Sequence, residues 1–431
     1  MKLLGLDIGT TTVSAVVVEA GNVLSSLTLK NGSFLPTENA WEKIQDPVYI
    51  RKTAQQAAQD LLEEHPDVER IGITGQMHGI VYLNAKGEPV SPLYTWQDGR
   101  GDQMMGSGET HAARLGRITG YSVATGYGLV THYYNMLHGI VPKDAVVFST
   151  IHDYIAMLLA GRTTPVTEAS DAASLGLFDV EKGCFDLTAI EKAGIPATLL
   201  PAVAEEPCIG YYQGKIPVYV AIGDNQASFL GATGGKTDAM LLNVGTGSQF
   251  SVYTSQHMTC SGLETRPFPG GGYLLVGASL CGGRAYALLE SFLCETVQTM
   301  TGVAPDNCYD AMAALLAQGR PEDVPVVTPL FQGTRQDPTL RGSITGLSTE
   351  NFTPRHLIFA MLDGMTEELY AMYRSYRNAG GEATKLIGSG NGLRKNIHLQ
   401  NCFSQVFGQQ LIMSHCTEEA ATGAALYAQS C

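Results

Sequence analysis

Charge is scarce in this chain: Asp, Glu, Lys and Arg make up 16% of its 431 residues, and 41 acidic side chains against 27 basic ones leave a formal net charge of −14. Nucleic-acid binding rests on neutralising phosphates with Lys and Arg, so no nucleic-acid partner is expected. Also missing is any run near the ~18 uncharged apolar residues of a membrane span, so no membrane association is expected either. Met1-Lys2-Leu3-Leu4 enters a strand pattern directly, without the basic start, apolar stretch and small-residue cleavage site of a secretory signal, which points to the cytoplasm. The nine cysteines include no C-x-x-C pair. Neither a disulfide framework nor a zinc site is signalled, and they read as reduced, mostly buried thiols. No Ser-His-Asp arrangement is visible, and there are no low-complexity tracts or charged tails.

What is present is an internal echo. Leu4-Gly5-Leu6-Asp7-Ile8-Gly9-Thr10-Thr11-Thr12 and Leu241-Leu242-Asn243-Val244-Gly245-Thr246-Gly247-Ser248 are each an apolar strand turning on Gly-Thr into small hydroxylic residues, with Asp7 aligned to Asn243 at an offset of 236 residues. A Gly-Thr turn after a buried strand lets backbone N–H groups and hydroxyls approach phosphate oxygens unobstructed. Two such turns suit two ends of one polyphosphate in two homologous half-structures; two unrelated hairpins with shared turn chemistry are the plainer alternative. Neither turn has a lysine nearby, so the phosphates need backbone dipoles, hydroxyls and a divalent cation, which predicts a magnesium nucleotide.

The length suits two or three domains, and the echo favours two. Leu3–Ile8, Val13–Glu19 and Val23–Leu29 read as a strand meander, residues 48–64 as a helix burying Ile50, Ala54, Ala57, Ala58 and Leu61, and Arg70–Thr74 and Pro92–Thr95 as strands. Tyr133 to Gly161 reads as helical, and a strand Val218–Ile222 leads into Gly223-Asp224-Asn225-Gln226. The boundary is placed after the Gly-rich stretch that follows, giving domains 1–233 and 234–431. Gly231-Ala-Thr-Gly-Gly235-Lys236-Thr237 nearly spells a P-loop but has three residues between its glycines where four are needed, and reads as a linker.

Asp224 stands at the C-terminal end of an apolar strand, where α/β sheets open their ligand sites. Two roles suit it: a general base for an attacking hydroxyl, or the cap of a helix beginning at Asn225. Asp7 either holds magnesium, directly or through water, or orders its own turn. Gly75-Gln76-Met77-His78-Gly79 and Trp96-Gln97-Asp98-Gly99-Arg100 each follow a strand and gather amides, carboxylates and a ring, as carbohydrate sites do. Taken singly, His78 reads as a core histidine and Asp98-Gly99 as a plain turn. Gly388-Ser389-Gly390-Asn391-Gly392 follows a strand-like Lys385–Ile387 and gives a nucleobase and ribose close access to the backbone. Residues 418–425 read as a helix start with a face of small residues, and Arg335 either as a phosphate contact or as an ion-pair partner.

In order and spacing, LGLDIGTTT, TGQMHG, WQDGR, IGDNQA, LNVGTGS and GSGNG resemble the FGGY carbohydrate kinases from Leu3 to Tyr427. The resemblance implies an α/β fold of two ribonuclease-H-like domains of the sugar kinase, Hsp70 and actin superfamily, with sugar and MgATP in an interdomain cleft. Carried over by position, it implies Asp224 as catalytic base, Asp7 and Asp224 toward Mg2+, and Gln76, Met77, His78, Trp96, Asp98, Arg100 and Asp224 at the sugar. It further implies Gly9, Thr10, Thr11 and Thr12 with Gly245, Thr246 and Gly247 at the ATP phosphates, and Gly388, Ser389, Gly390 and Asn391 at the adenosine. The words Thr95–Arg100, Ser122–Gly128, Ile151–Tyr154 and Asp171–Ser174 resemble the members that phosphorylate sedoheptulose at its 7-position; a xylulose or other ketose or polyol kinase is the alternative. A non-catalytic nucleotide switch of the actin or Hsp70 type is the distant one, and a homodimer is the one protein partner considered.

Overall fold

The apolar opening of the chain forms β1 (Lys2–Ile8), which runs antiparallel to β2 (Thr12–Glu19). Both are buried along most of their length, as interior strands are. β3 (Asn22–Lys30) pairs with β2 and alternates exposed and half-buried residues, the pattern of an edge. The helix α1 (Pro47–Glu64) begins on Asp46, whose carboxylate accepts from the Val48 and Tyr49 amides, and buries Ile50, Ala54, Ala57, Ala58 and Leu61, the face expected from their spacing. The chain returns in β4 (Val68–Gly75), parallel to β1. The stretch expected to be helical from Tyr133 to Gly161 is instead a helix Gly128–Leu137, a short strand Val147–Ser149 and α2 (Ile151–Leu159); the β-branched and aromatic Val147 and Phe148 pair with Tyr82 and Leu83. β5 (Cys208–Tyr212), β6 (Ile216–Tyr219) and β7 (Ile222–Gly223) complete a seven-stranded sheet ordered β5-β6-β4-β1-β2-β3, with β7 also on β4. α3 (Asp224–Thr233) follows.

β8 (Ala239–Val244), β9 (Ser248–Thr254), β10 (Glu264–Pro267), β11 (Tyr273–Ser279), β12 (Lys385–Ser389) and β13 (Leu411–Met413) form a second sheet, ordered β10-β11-β9-β8-β12-β13. The path β6-β4-β1-β2-β3 in the first sheet is matched by β13-β12-β8-β9-β11 in the second, with β1 and β8 each antiparallel to the next strand and parallel to a later one. The echo is therefore a repeat of topology, not of turn chemistry alone.

The structure describes residues 1–431 except 107, 335, 336 and 338, in a computed structural model; the expectation for Arg335 lies outside them. Two compact units result, one of Met1–Lys236, Arg266–Tyr273 and Cys416–Cys431, the other of Thr237–Thr265 and Leu274–His415. A single cut at 233/234 assigns the C-terminal helix Glu419–Ser430 to the second half, whereas its contacts put it in the first unit, against β1, β4 and α3. Its small residues are the reason. A Cβ on Gly423 would fall 1.7 Å from the Ala227 carbonyl oxygen, and one on Gly231 1.9 Å from that of Glu419. Gly423→Ala is therefore expected to cost about 1–3 kcal/mol, the scale of core overpacking, because a backbone carbonyl has no rotamer to retreat into. Chemical denaturation measures it, and unchanged stability would show that the two helices separate freely. Gly231 ends up inside α3, which a left-handed Gly234 terminates, so the near P-loop is a helix end. Among the described residues no helix is long and apolar enough to cross a membrane.

Candidate active site

Three parallel strand ends build the first unit's site. The registers Ile8↔Gly75 and Gly223↔Gly75 bring β1, β4 and β7 to one edge of the sheet, so Asp7, Gln76 and Asp224 emerge there together. A side chain at Gly75 would meet the Ile8 carbonyl at 2.7 Å and the His152 Cβ at 3.0 Å; its absence lets α2 lie under the strand ends.

Asp224 is the first residue of α3, whose N-cap is Gly223, and no side chain caps that helix. The capping role left open for Asp224 is thus unused. Its carboxylate is only partly buried, accepts one hydrogen bond from Asn225 Nδ2 at 2.8 Å, and stands at the helix N-terminus, where backbone dipoles favour an anion. Asp7 is more constrained. Among the described residues its carboxylate accepts no hydrogen bond, and burial together with repulsion from Asp224 pushes its pKa up to about 7, with His152 acting the other way.

His152 is fully buried with Nε2 2.9 Å from Asp171 Oδ2. Burial alone would discharge the imidazole, but Asp171, and beyond it Asp224 and Asp7, raise its pKa overall. Burial likewise works against the Asp171 anion, yet His152, together with hydrogen bonds from Asp153 and Thr150, more than offsets it and its pKa falls. Thr150 Oγ1 lies 2.9 Å from Asp153 Oδ2 and 2.8 Å from Asp171 Oδ2. One hydroxyl proton cannot serve two anions, and burial with Asp171 nearby drives the Asp153 carboxyl well above the usual carboxylate range.

The raised Asp7 sets a pH dependence. Between its ordinary 3.8 and about 7 the folded chain holds a proton that the unfolded chain releases, so this group makes stability fall as pH rises through that window. Asp7→Asn removes the penalty. The variant's gain in Tm over the parent is expected to be absent near the lower limit, to grow through the window and to level off above it; a gain independent of pH would rule out the strained carboxylate.

The sugar-side residues part into two groups. Trp96 keeps 46% of its surface exposed and donates Nε1–H to Thr10 Oγ1 at 3.0 Å; Thr10 donates to Gln76 Oε1 at 3.1 Å, Gln76 Nε2 to Gln45 Oε1 at 2.9 Å, and Gln45 Nε2 to the Thr10 carbonyl at 2.9 Å. This closed ring of hydrogen bonds locks an indole and an amide onto the Gly9–Thr12 turn, while Thr11 and Thr12 stay exposed and Asn31 Nδ2 holds the Gly9 carbonyl at 2.8 Å. His78 stacks on Tyr127 at 4.6 Å with Nδ1 2.7 Å from the Ser174 carbonyl, and Met77 is buried against Gly223. Asp98 and Arg100, expected at the sugar, turn into the core instead. Asp98 has no exposed surface; its two oxygens accept from Arg100 Nε and N–H, Arg100 Nη2 and the Lys43 amide, and Arg100 also donates to Asn135 and lies 4.0 Å over the Tyr94 ring. With every acceptor position of Asp98 filled and both side chains buried, the pair belongs to the core and not to an open ligand site.

In the second unit, the Gly245–Gly247 turn closes on itself, with the Gly245 amide donating to the Gly247 carbonyl at 2.9 Å. Amides of Gly283 and Arg284, at the start of α4 (Gly282–Thr301), donate to the Gly245 and Thr246 carbonyls. Asn243, the counterpart of Asp7, donates Nδ2–H to Ser389 Oγ at 2.8 Å across the β8–β12 register. Ser389 is thereby buried, and Gly390, with φ +86°, opens a short helix Asn391–Arg394 whose first residue is exposed. Among the described residues, one copy of the repeat ends in a carboxylate that accepts no hydrogen bond and the other in a tied amide.

Residues 2–231 match the family model for the N-terminal domain of the FGGY family of carbohydrate kinases, and residues 240–430 that for its C-terminal domain. The chain belongs to the FGGY carbohydrate kinases. Mouse sedoheptulokinase is 30% identical over 98% of this chain and 96% of its own length, and human sedoheptulokinase 28% identical over the same shares. The crystal structure of xylulose kinase from Rhodospirillum rubrum superposes with a TM-score of 0.83 at 22% identity, over 100% of this chain and 90% of that one. Gluconate kinase from Lactobacillus acidophilus gives 0.81 at 19%, over 100% and 89%. As an FGGY kinase the chain is a phosphotransferase, and the family and fold expected from its motifs hold. The motifs by themselves give this kinase no role for His152. Ile151-His152-Asp153-Tyr154 and Asp171–Ser174 stand only as family words, and no local signal says that the two segments meet.

Proposed function

We propose that this kinase transfers the terminal phosphoryl group of ATP to a primary hydroxyl of a ketose, with sedoheptulose the favoured acceptor and its 7-phosphate the product. The single observation that carries the reaction is the uncapped Asp224 carboxylate at a helix N-terminus, on the sheet edge that also presents Asp7 and the Trp96–Thr10–Gln76 ring. Asp224 accepts the hydroxyl proton as the sugar oxygen bonds to phosphorus, and general-base help of this kind contributes about 10²–10⁴-fold. Gln76, His78 and Trp96 orient the sugar, the indole offering a face for C–H groups and the amide pairing hydroxyls. The exposed hydroxyls of Thr11 and Thr12 and the turn amides are the phosphate donors of the first unit. The residues fit Mg2+: Asp7 is a carboxylate without a donor and destabilised by Asp224, a strain that a dication relieves. When bound, the ion neutralises charge on the phosphate oxygens. His152, whose pKa Asp171 raises against burial, acts on Asp7 in the opposite sense to Asp224.

The preference for sedoheptulose is supported by the two sedoheptulokinases, matched over nearly their whole length. Coupled measurement of ADP release over five- to seven-carbon ketoses and glycerol tests it. Sedoheptulose is expected to show the highest kcat/KM; a higher value for xylulose or glycerol overturns the substrate, and ATP hydrolysis without a phosphorylated sugar overturns the reaction.

A further inference from the structure

Remote from these residues in sequence, the second unit gathers two thiols and a carboxylate that phosphoryl transfer does not use. Glu290 and Cys294 lie one turn apart on the same face of α4. Cys308 is the N-cap residue of α5 (Tyr309–Ala317). Glu290 Oε1 accepts from the Cys308 amide at 2.7 Å and from Cys294 Sγ at 3.1 Å, and the two sulfurs are 3.0 Å apart. One ligand atom from each residue falls within 4.8 Å of the other two. Donors around a tetrahedral zinc ion stand about 3.5–3.8 Å from one another, as its bond lengths require, so small side-chain shifts suffice. Cys308 is buried and the other two are half-buried, so solvent reaches part of the cluster.

We propose that Glu290, Cys294 and Cys308 form a site for a thiophilic divalent cation, zinc(II), that clips the C-terminal half of α4 to the start of α5. Binding displaces two thiol protons: Zn2+ and two thiols give a zinc dithiolate and two H+, while a Glu290 oxygen is the third donor and water completes the tetrahedron. A disulfide is the competing use of paired cysteines, but the Glu290 oxygen that meets both the Cys294 thiol and the Cys308 amide is a third donor that a cation uses and a disulfide does not. A cation bonded to the sulfur holds it as the thiolate, because a coordinating thiol is deprotonated outright. The pairing escapes sequence inspection since 13 residues separate the cysteines and the carboxylate comes from the preceding helical turn.

The test uses the full chain, reduced with a phosphine and stripped with a chelator, and titrates it with Co2+ as a spectroscopic stand-in. One equivalent is expected to produce a thiolate-to-cobalt charge-transfer band, and Zn2+ should displace it. Zn2+ added to the stripped protein should release two protons per chain and raise its Tm. Cys294→Ser and Cys308→Ser should each abolish the band, Glu290→Gln should weaken Zn2+ binding about 10–100-fold, and Cys260→Ser should leave both unchanged, with kinase turnover intact in every variant. No band in the reduced parent protein overturns the proposal, as does a band that survives in either Cys294→Ser or Cys308→Ser. Should a serine variant fail to fold, Glu290→Gln and the proton count decide, and fewer than two protons released overturns it equally.

Discussion

Asp224→Asn is expected to lower kcat about 10²–10⁴-fold, which corresponds to about 2.7–5.5 kcal/mol in the barrier, while ATP affinity and Tm stay close to those of the parent. Stability is spared because the carboxylate caps nothing: α3 starts on Gly223, and the one partner of Asp224 is the neighbouring Asn225 amide. An amide of the same shape fits that environment but has no basic lone pair for the sugar proton. Steady-state kinetics with saturating ATP measure the loss. Turnover within tenfold of the parent removes Asp224 from the role of base, and a fall in Tm of several degrees would mean that the carboxylate is structural.

Asp98→Ala is expected to act on folding instead. Removing one member of a buried ion pair leaves the other charge uncompensated, typically at a cost of about 3–5 kcal/mol. Arg100 would keep Asn135 and the Tyr94 face but lose both carboxylate oxygens, and the Lys43 amide would lose its acceptor. Urea unfolding measures the cost, and the folded fraction should show a KM for sugar within about threefold of the parent, since a loss of charge-assisted hydrogen bonds to the ligand would have cost more. Unchanged stability with a KM tenfold higher would return Asp98 to the sugar site.

Why was Asp98 legible as a site residue and not as a core one? The run Trp96-Gln97-Asp98-Gly99-Arg100 carries the polar and aromatic types of a carbohydrate site. Which of them face outward depends on the short helical turn Gly99–Asp102 that starts on Asp98 and folds the carboxylate back onto Arg100. Local sequence identifies the types, and backbone rotation over a few residues assigns the directions. Trp96 and Asp98 are two positions apart and end on opposite sides of the protein surface, one with its indole out and the other wholly enclosed. The His152–Asp171 pair is a harder case: 18 residues lie between its members, and burial makes their charges interact strongly only once the chain has brought them together.

The antiparallel pairs β1–β2 and β8–β9 follow from the repeated pattern of an apolar run, a Gly-Thr turn and a second apolar run, and the family from six words in fixed order. The Asp7 to Asn243 difference was also plain in the letters. Tertiary structure alone decided what that difference means: Asn243 donates to Ser389 across a parallel register, whereas Asp7, in the matching place opposite Thr74, is left with no donor and repelled by Asp224. It also decided that the last helix packs with the first unit, because carbonyl oxygens of Ala227 and Glu419 occupy the space that side chains on Gly423 and Gly231 would need. Pattern along the chain encodes which faces are apolar and where the turns fall. The contact partners are set by distances that close only in three dimensions, so the charge balance at the sheet edge is a property of the fold.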